Sequence, residues 1–425
     1  MFGVIGTCRW DVTDDKTLVI SPLEGEEGVL VESVWPWQES DIRKVELIGK
    51  IVAPEHMTYM FYNCHMLEDA GSLKKLDVSR VYNIRGMFAG CSLLKDISFL
   101  ENWDTGRVTD ISYLFFGCAS LKSVSPLGKW DTKNLRRADG VFEGCVSLAD
   151  ISGLRNWDTG NIMTMKFMFY KCMLLEDISP LSGWDTKNLV FASYTFFGCM
   201  QLRDISALGS WNTRKVMEMS HMFENCASLK DISPLSGWNT GSATEMHAMF
   251  CECISLNDIS PLRGWNTENV RLMSHMFYGC GITDAGTVDG WNIKSLYSLA
   301  EIFRNTCVKE NPFVKKVPMA CPETGSFTAW KKCCDGKIVE LLIPEDARRS
   351  SAFGKKCRCD KAKVLGIQKP NGLPALTAVS CNDRNFVYRL GKTVSAPDFD
   401  TDRFSECAAG IHFFMDRKSA EDYSS

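Results

Sequence analysis

No run of about 18 apolar residues occurs anywhere in this chain, so no segment of it reads as a transmembrane helix. The opening Met1-Phe2-Gly3-Val4-Ile5-Gly6-Thr7-Cys8-Arg9 has no basic stretch ahead of an apolar core, and no secretory leader is expected. An excess of charge is also missing: the formal net charge is −4, which excludes a globally basic nucleic-acid binder. With 45% hydrophobic and 24% charged residues, the chain lacks the composition of a disordered segment. These absences lead to the expectation of a reducing, by default cytoplasmic, setting in which the 19 cysteines are mostly thiols.

Cysteine is what the chain has in order. Ten of them, Cys64, Cys91, Cys118, Cys145, Cys172, Cys199, Cys226, Cys253, Cys280 and Cys307, follow one another at 27-residue intervals. The first nine follow a Phe by three positions, from Phe61 to Phe277, whereas Phe303 stands four before Cys307. A fixed period of this length marks a repeat protein, which grows by adding rungs rather than by enlarging one core.

The neighbours of each cysteine share the period. Leu falls at +3 (Leu94 to Leu256), Ile or Val at +6 (Ile97, Val124 to Ile259), Leu at +9 (Leu100 to Leu262) and Trp at +12 (Trp103 to Trp265). The segment Leu-x-Asp-Ile-Ser-x-Leu is short, β-branched and bounded by Pro or Gly, which predicts a strand with its apolar side inward. Ten such strands at ~4.8 Å spacing make a parallel ladder about 45 Å long. Asp-Thr or Asn-Thr after the Trp predicts a turn or helix N-cap. The apolar positions Val216, Met219, Met222, Phe223 and Cys226 then share one face of a short helical return, in part 3₁₀. A strand, a turn and a helical return per rung is a leucine-rich-repeat solenoid.

Within that frame the ladder cysteines read as small apolar core plugs. The Trp column reads as a stacked core edge, with a carbohydrate-binding track as the sharper alternative. The Asp at +5 (Asp96, Asp150, Asp177, Asp204, Asp231, Asp258) forms an acidic file. A solvated face is preferred for it over a site for a cation or a basic partner. His221 and His275 hold the same phase two rungs apart with Ala248 between them, at ~10 Å if rungs are strand-spaced, too far to share a metal.

The phrases Trp265-Asn266-Thr267-Glu268-Asn269-Val270 through Met276-Phe277-Tyr278-Gly279-Cys280 and Leu229-Lys230-Asp231-Ile232-Ser233-Pro234-Leu235 resemble the BspA-like leucine-rich repeats of bacterial and protist surface proteins. The resemblance covers roughly residues 50–310. Gly6-Thr7-Cys8-Arg9-Trp10-Asp11-Val12 and Lys16-Thr17-Leu18-Val19-Ile20 resemble the small β-rich lead-in of those proteins. It implies adhesion or partner binding, to a protein or a surface glycan, without catalysis, and makes the cell surface a candidate location.

Beyond Pro312, Pro318 and Pro322 the beat stops, and Cys321, Cys333, Cys334, Cys357, Cys359, Cys381 and Cys407 ignore it. Strand-like runs at 338–343, 363–367, 375–380 and 387–390, with a helix from near Asp416, predict a small α+β domain. Cys333, Cys334, Cys357, Cys359 and Cys381 are zinc ligands in kind. No pair is spaced Cys-x-x-Cys, so no metal site is assigned. Cys407 and His412 pair a thiol with a base, but nothing marks an orienting residue or an oxyanion hole, so no catalytic residue or cofactor is assigned. The basic run Lys355, Lys356, Arg358, Lys361 and Lys363 lacks interleaved aromatics, and no nucleic-acid partner is expected. Ala329-Trp330-Lys331-Lys332-Cys333, Leu341-Leu342-Ile343-Pro344 and Gly410-Ile411-His412-Phe413-Phe414 resemble an uncharacterised C-terminal domain found behind several repeat types, pentapeptide repeats included.

The expected organisation is α/β. A β-rich N-terminal cap spans 1–50, a leucine-rich-repeat solenoid of about ten 27-residue rungs spans 51–310, and a small α+β domain of unknown function spans 318–425. The expected function is a non-enzymatic, adhesin-like binding scaffold acting through the solenoid face. The alternative makes the C-terminal domain a metal- or thiol-dependent enzyme targeted by the repeats.

Overall fold

A computed structural model describes residues 1–423 of the chain except 33, 352 and 406, so the last two residues of the expected 318–425 domain lie outside the described residues. The chain is mixed α/β with few helices, and most of its turns recur every 27 residues.

At the N-terminus β1 (Phe2–Ile5), β2 (Cys8–Val12) and β3 (Thr17–Pro22) pair antiparallel. In β2, Cys8 and Trp10 point inward while Arg9 and Asp11 face out, the period-2 pattern of a half-buried strand. After β4 (Glu27–Val29), β5 (Lys44–Leu47) joins β3 in parallel. β6 (Lys50–Val52) lies between β4 and β7 (Leu76–Asp77), again in parallel. The Trp35 and Trp37 indoles donate to the Thr58 and Met60 carbonyls at 3.0 and 2.9 Å, and the Glu39 N–H donates to the Tyr62 carbonyl at 2.8 Å. In the next rung the equivalent carbonyls, on Arg85, Met87 and Ala89, accept from the rung before. The two indoles therefore take the place of backbone donors where no earlier rung exists, because a buried carbonyl without a donor is costly.

The repeat columns are buried as the spacing predicts. Phe61 through Phe277 stack at 5.5 to 6.0 Å with nearly parallel rings. Trp130 through Trp291 stack at 6.3 to 6.5 Å. Side chains also bond across rungs. Each ladder thiol from Cys91 to Cys280 donates to the Phe carbonyl 30 residues earlier, as Cys226 does to Phe196 at 3.1 Å. The Trp indoles reach the Leu carbonyls of the preceding rung, and buried Thr hydroxyls reach the following one, as Thr213 does to Asn239 at 3.0 Å. Cys307, after the one-residue slip, is exposed.

Two local expectations fail, in opposite directions. The Leu-x-Asp-Ile-Ser segment is a 3₁₀ turn, not a strand: Ser206–Ser210 coils directly after Ile205. The cause is the +5 aspartate. Asp204 accepts the Ser206 N–H at 2.7 Å, as Asp96, Asp150, Asp177, Asp231 and Asp258 do with the serine two residues on, and this side-chain bond starts the turn, although Ser123 and Asp150 still share a parallel bridge.

The predicted helical return is instead where the rungs pair. Bridges run in parallel through Asn83, Asp110, Arg137, Thr164, Phe191, Glu218 and Glu245. The N–H groups of Met219, His221, Phe223 and Asn225 donate to Glu245, His247, Met249 and Cys251 of the next rung at 2.8 to 3.0 Å. Those of Met222, Glu224 and Cys226 turn back three residues to Met219, His221 and Phe223. His221 and Asn225, at φ of 59° and 60°, are the third residues of successive four-residue turns, the type II pattern. A positive φ every fourth residue stops a right-handed helix, yet keeps the 3, 3, 1, 3 apolar spacing that resembles one.

Compact packing groups residues 1–270, 275–295 and 303–310 in one unit, and residues 271–274, 296–302 and 311–425 in another. The second contains β8 (Phe327–Lys332), β9 (Ile338–Ile343), β10 (Arg349–Ser351), β11 (Lys356–Cys359), β12 (Lys361–Gln368), β13 (Thr377–Val379), β14 (Val387–Arg389), β15 (Thr393–Ser395) and β16 (Ile411–Phe414). Its main sheet has the order β10-β11-β16-β8-β9-β12-β15, and β13 pairs with β14. Helix α1 (Arg417–Asp422) is N-capped by Asp416, which accepts the Ser419 N–H at 2.7 Å.

Candidate functional site

The paired face of the repeats carries two files of half-exposed rings that the period alone does not announce. The first uses the positive-φ residues Tyr59, Tyr113, Phe167, Tyr194 and His221, and the second runs three positions later through Phe116, Tyr170 and Phe197. Phe167 stacks on Tyr194 at 4.6 Å, Tyr194 on His221 at 4.2 Å, and Tyr170 on Phe197 at 4.5 Å. Where the first file lacks a ring, glycine makes room: a Cβ on Gly86 would meet the Tyr59 ring at 2.3 Å, and one on Gly140 the Tyr113 ring at 2.5 Å. Phe167, Tyr194 and His221 thus stack from rung to rung at a turn position that takes a positive φ.

His221 and His275 are joined by a residue the phase count passes over. His247, one position ahead of Ala248, puts its ring between them, 4.8 Å from His221 and 5.3 Å from His275. Burial, followed by the two neighbouring imidazoles, lowers the His247 pKa to about 4. His221 also hydrogen-bonds Glu224.

The Trp column is buried (Trp184 is 3% exposed), so it offers no carbohydrate track. Each aspartate of the acidic file gives one carboxylate oxygen to the N–H that starts its 3₁₀ turn. The ladder thiols are pushed far up by burial and stay protonated.

In the C-terminal unit the sequence candidates separate. β8 meets β16 at one pair, Trp330 with Phe414, and beyond it a cavity of about 210 Å³ opens. Cys333, Cys334, Cys381 and His412 line it together with Lys331, Lys332 and Lys356, whereas Cys357, Cys359 and Cys407 are outside its lining. The proposed zinc set is therefore divided, and among the described residues no group of three His, Cys, Asp or Glu side chains could hold a metal ion. Burial raises the Cys333 thiol to about 12 despite nearby Lys331. The basic run divides too: buried Arg358 donates to the carbonyls of Asp400, Asp402 and Ala409, and Lys361 pairs with Asp346 at 2.5 Å. Lys356 alone of that run reaches the cavity. Sequence reasoning gave no site role to Lys331 and Lys332, which enter it only within the phrase that carries the resemblance.

Among the described residues no helix is long and apolar enough to cross a membrane. A family described as Mycoplasma protein of unknown function, DUF285, matches residues 55–153, 148–233 and 193–315. A second, described as a family of unknown function (DUF5758), matches residues 317–420. No curated protein matches the chain. A solved leucine-rich cell surface protein from Faecalibacterium prausnitzii A2-165 is similar at 15% identity and a TM-score of 0.33, over 73% of this chain and 93% of that one.

Proposed function

The chain belongs to the DUF285 repeat family, whose match spans more than half of it, and we propose on that premise that it is a non-enzymatic binding scaffold. In this reading residues 51–310 form a leucine-rich-repeat-type solenoid, residues 1–50 cap it, and residues 318–425 are a separate accessory domain. The partner is a protein, or else a surface glycan, held adhesin-like on the paired face of the rungs. The observation that carries the reading is the double ring file from Phe167 to Phe197: large rings, half-exposed and fixed by stacking, are the side chains that dominate binding interfaces. The resemblance to BspA-like surface proteins makes the cell surface the proposed place of action.

The test is a glycan array and a panel of purified surface proteins probed with the full chain and with a Phe167→Ser/Tyr170→Ser/Phe197→Ser variant. A ligand retained by the wild type and lost by the variant, with both giving the same far-ultraviolet spectrum, supports the reading. Equal retention by both sinks the ring file as the binding face. The enzyme alternative rests on the gathering of Cys333, Cys334, Cys381 and His412 in one cavity. It requires stoichiometric zinc in the purified chain or one hyper-reactive thiol in an alkylation titration.

A further inference from the structure

The cavity beyond the Trp330–Phe414 pair has a charge imbalance that the scaffold role does not use. Lys331, Lys332 and Lys356 line it, and none of the three forms an ion pair with a carboxylate among the described residues. The one carboxylate in the lining, Asp335, is 83% exposed in its side chain and lies 3.9 Å from Lys337, which is outside the lining. Lys332 is already engaged, donating to the Glu421 and Tyr423 carbonyls at 2.8 and 2.9 Å, and so fixes the end of α1 against β8. Lys356 makes one bond, to the Tyr423 hydroxyl at 3.3 Å, and lies over that ring. Among the described residues the Lys331 ammonium makes no hydrogen bond and lies 5.9 Å from the centre of the Tyr388 ring. Two ammonium groups with donor capacity to spare therefore face one small space, beside the hydroxyl and amide groups of Ser380 and Asn382.

We propose that this cavity binds the phosphoryl group of a small phosphomonoester or free phosphate, with Lys331 and Lys356 as the charge-bearing contacts. Lysines converging from two strands act as point charges and suit a tetrahedral oxyanion, whereas bidentate recognition of a planar carboxylate favours arginine. At about 210 Å³ the cavity is smaller than the ~300–1,000 Å³ sites of drug-sized ligands, which fits a phosphoryl group on a short stem. Burial, with Lys356 as a further contributor, lowers the Lys331 pKa, so a bound anion pulls it back up and binding near that pKa takes up a proton.

The test is isothermal titration calorimetry of the full chain with inorganic phosphate, glycerol 3-phosphate and, as the uncharged control, glycerol. One saturable site for either anion, and none for glycerol, is the expected result. Tighter binding of glycerol 3-phosphate assigns the site to a phosphorylated metabolite, and equal or tighter phosphate binding assigns it to the free anion. Lys331→Met and Lys356→Met are each expected to weaken binding by about tenfold or more, while Lys337→Met leaves it unchanged. Repeating the wild-type titration at alkaline pH in buffers of different ionisation enthalpy reads the proton uptake. Lys356 is the first residue of β11, on a different strand from Lys331, so Lys356→Met remains informative if Lys331→Met fails to fold. No saturable binding of either anion, or binding that both lysine variants retain, overturns the proposal.

Discussion

The repeat region and the C-terminal unit bury polar groups in opposite ways. In the repeats the recurring buried donors meet acceptors supplied by the adjacent rung: thiol to Phe carbonyl, indole to Leu carbonyl, Thr hydroxyl to the next turn, with the buried Ser112 hydroxyl an exception. In the C-terminal unit Arg358 of β11 is satisfied by three carbonyls of the 400–409 segment, but the Lys331 ammonium has a ring at 5.9 Å. Periodicity favours satisfaction, since a solution found once is copied wherever the same side chain recurs at the same phase. A domain without repeats has no such guarantee, and an unbalanced group in it is more informative about ligands than any repeated one.

The comparison breaks most visibly at high pH. The nine ladder thiols from Cys64 to Cys280 have pKa values raised by burial, Cys64 to about 12 and the others well above an ordinary thiol. A raised folded pKa gives stability that is fully present below the unfolded value and lost above it, because only the unfolded chain then releases protons. Above pH ~8.5 each such thiol costs the repeats up to ~1.4 kcal/mol per pH unit, so urea midpoints measured in tryptophan fluorescence should fall steeply between pH 8.5 and 10. A flat profile there contradicts the buried-thiol column.

Next in size is Phe196→Ala, which removes a fully buried ring stacked at 5.6 and 5.7 Å on its two neighbours. It is expected to cost about 3–5 kcal/mol in the same urea titration. An effect under about 1 kcal/mol means that the rungs do not share the ring column as a core.

The histidine file gives a smaller, acid-side signature. The His247 pKa is lowered to about 4, so its contribution is present above pH ~6.5 and lost as pH falls from there toward 4. His221, His275 and Glu224 surround it, and His247→Phe keeps a ring while removing its proton site. The variant should melt with less pH dependence than the wild type between pH 6.5 and 4, and an unchanged slope rules His247 out as the cause.

The smallest expected effect is Asp204→Ala, about 0.5–1.5 kcal/mol from one lost side-chain-to-backbone bond at an exposed turn. Asp204→Asn keeps the acceptor and should restore most of it. If Asn and Ala lose equally, the aspartate file acts by charge and not by turning the chain.

How far the sequence could be read follows the same division. The Cys, Phe, Leu and Trp columns were legible because burial in a stack demands the same side chain at the same phase. Strand and helix were exchanged because two local facts are silent in a pattern count. Asp204 turns the chain with its own carboxylate, and Tyr194 and His221 take φ of 62° and 59° at a turn position that Ala248, without a ring, also holds at 50°. His247 was missed because its ring fills the place of its neighbour Ala248, a substitution across one residue that phase cannot reveal. In the C-terminal unit the runs at 338–343, 363–367, 375–380 and 387–390 fall on β9, β12, β13 and β14, but β8, β10, β11, β15 and β16 were not read, nor was the cavity. Its lining joins residues of β8, β11 and β16 with Ser380–Asn382 and Tyr423, which are distant from one another in sequence.

By itself the sequence determined the 27-residue period, the side chains of the core and the point where the period ends, since hydrophobic burial repeats with the chain. Only the tertiary structure decided which segment pairs from rung to rung, which rings stay half-exposed, and which lysines share a cavity. Those depend on hydrogen-bond partners and neighbours 25 to 90 residues away, and nothing local specifies them.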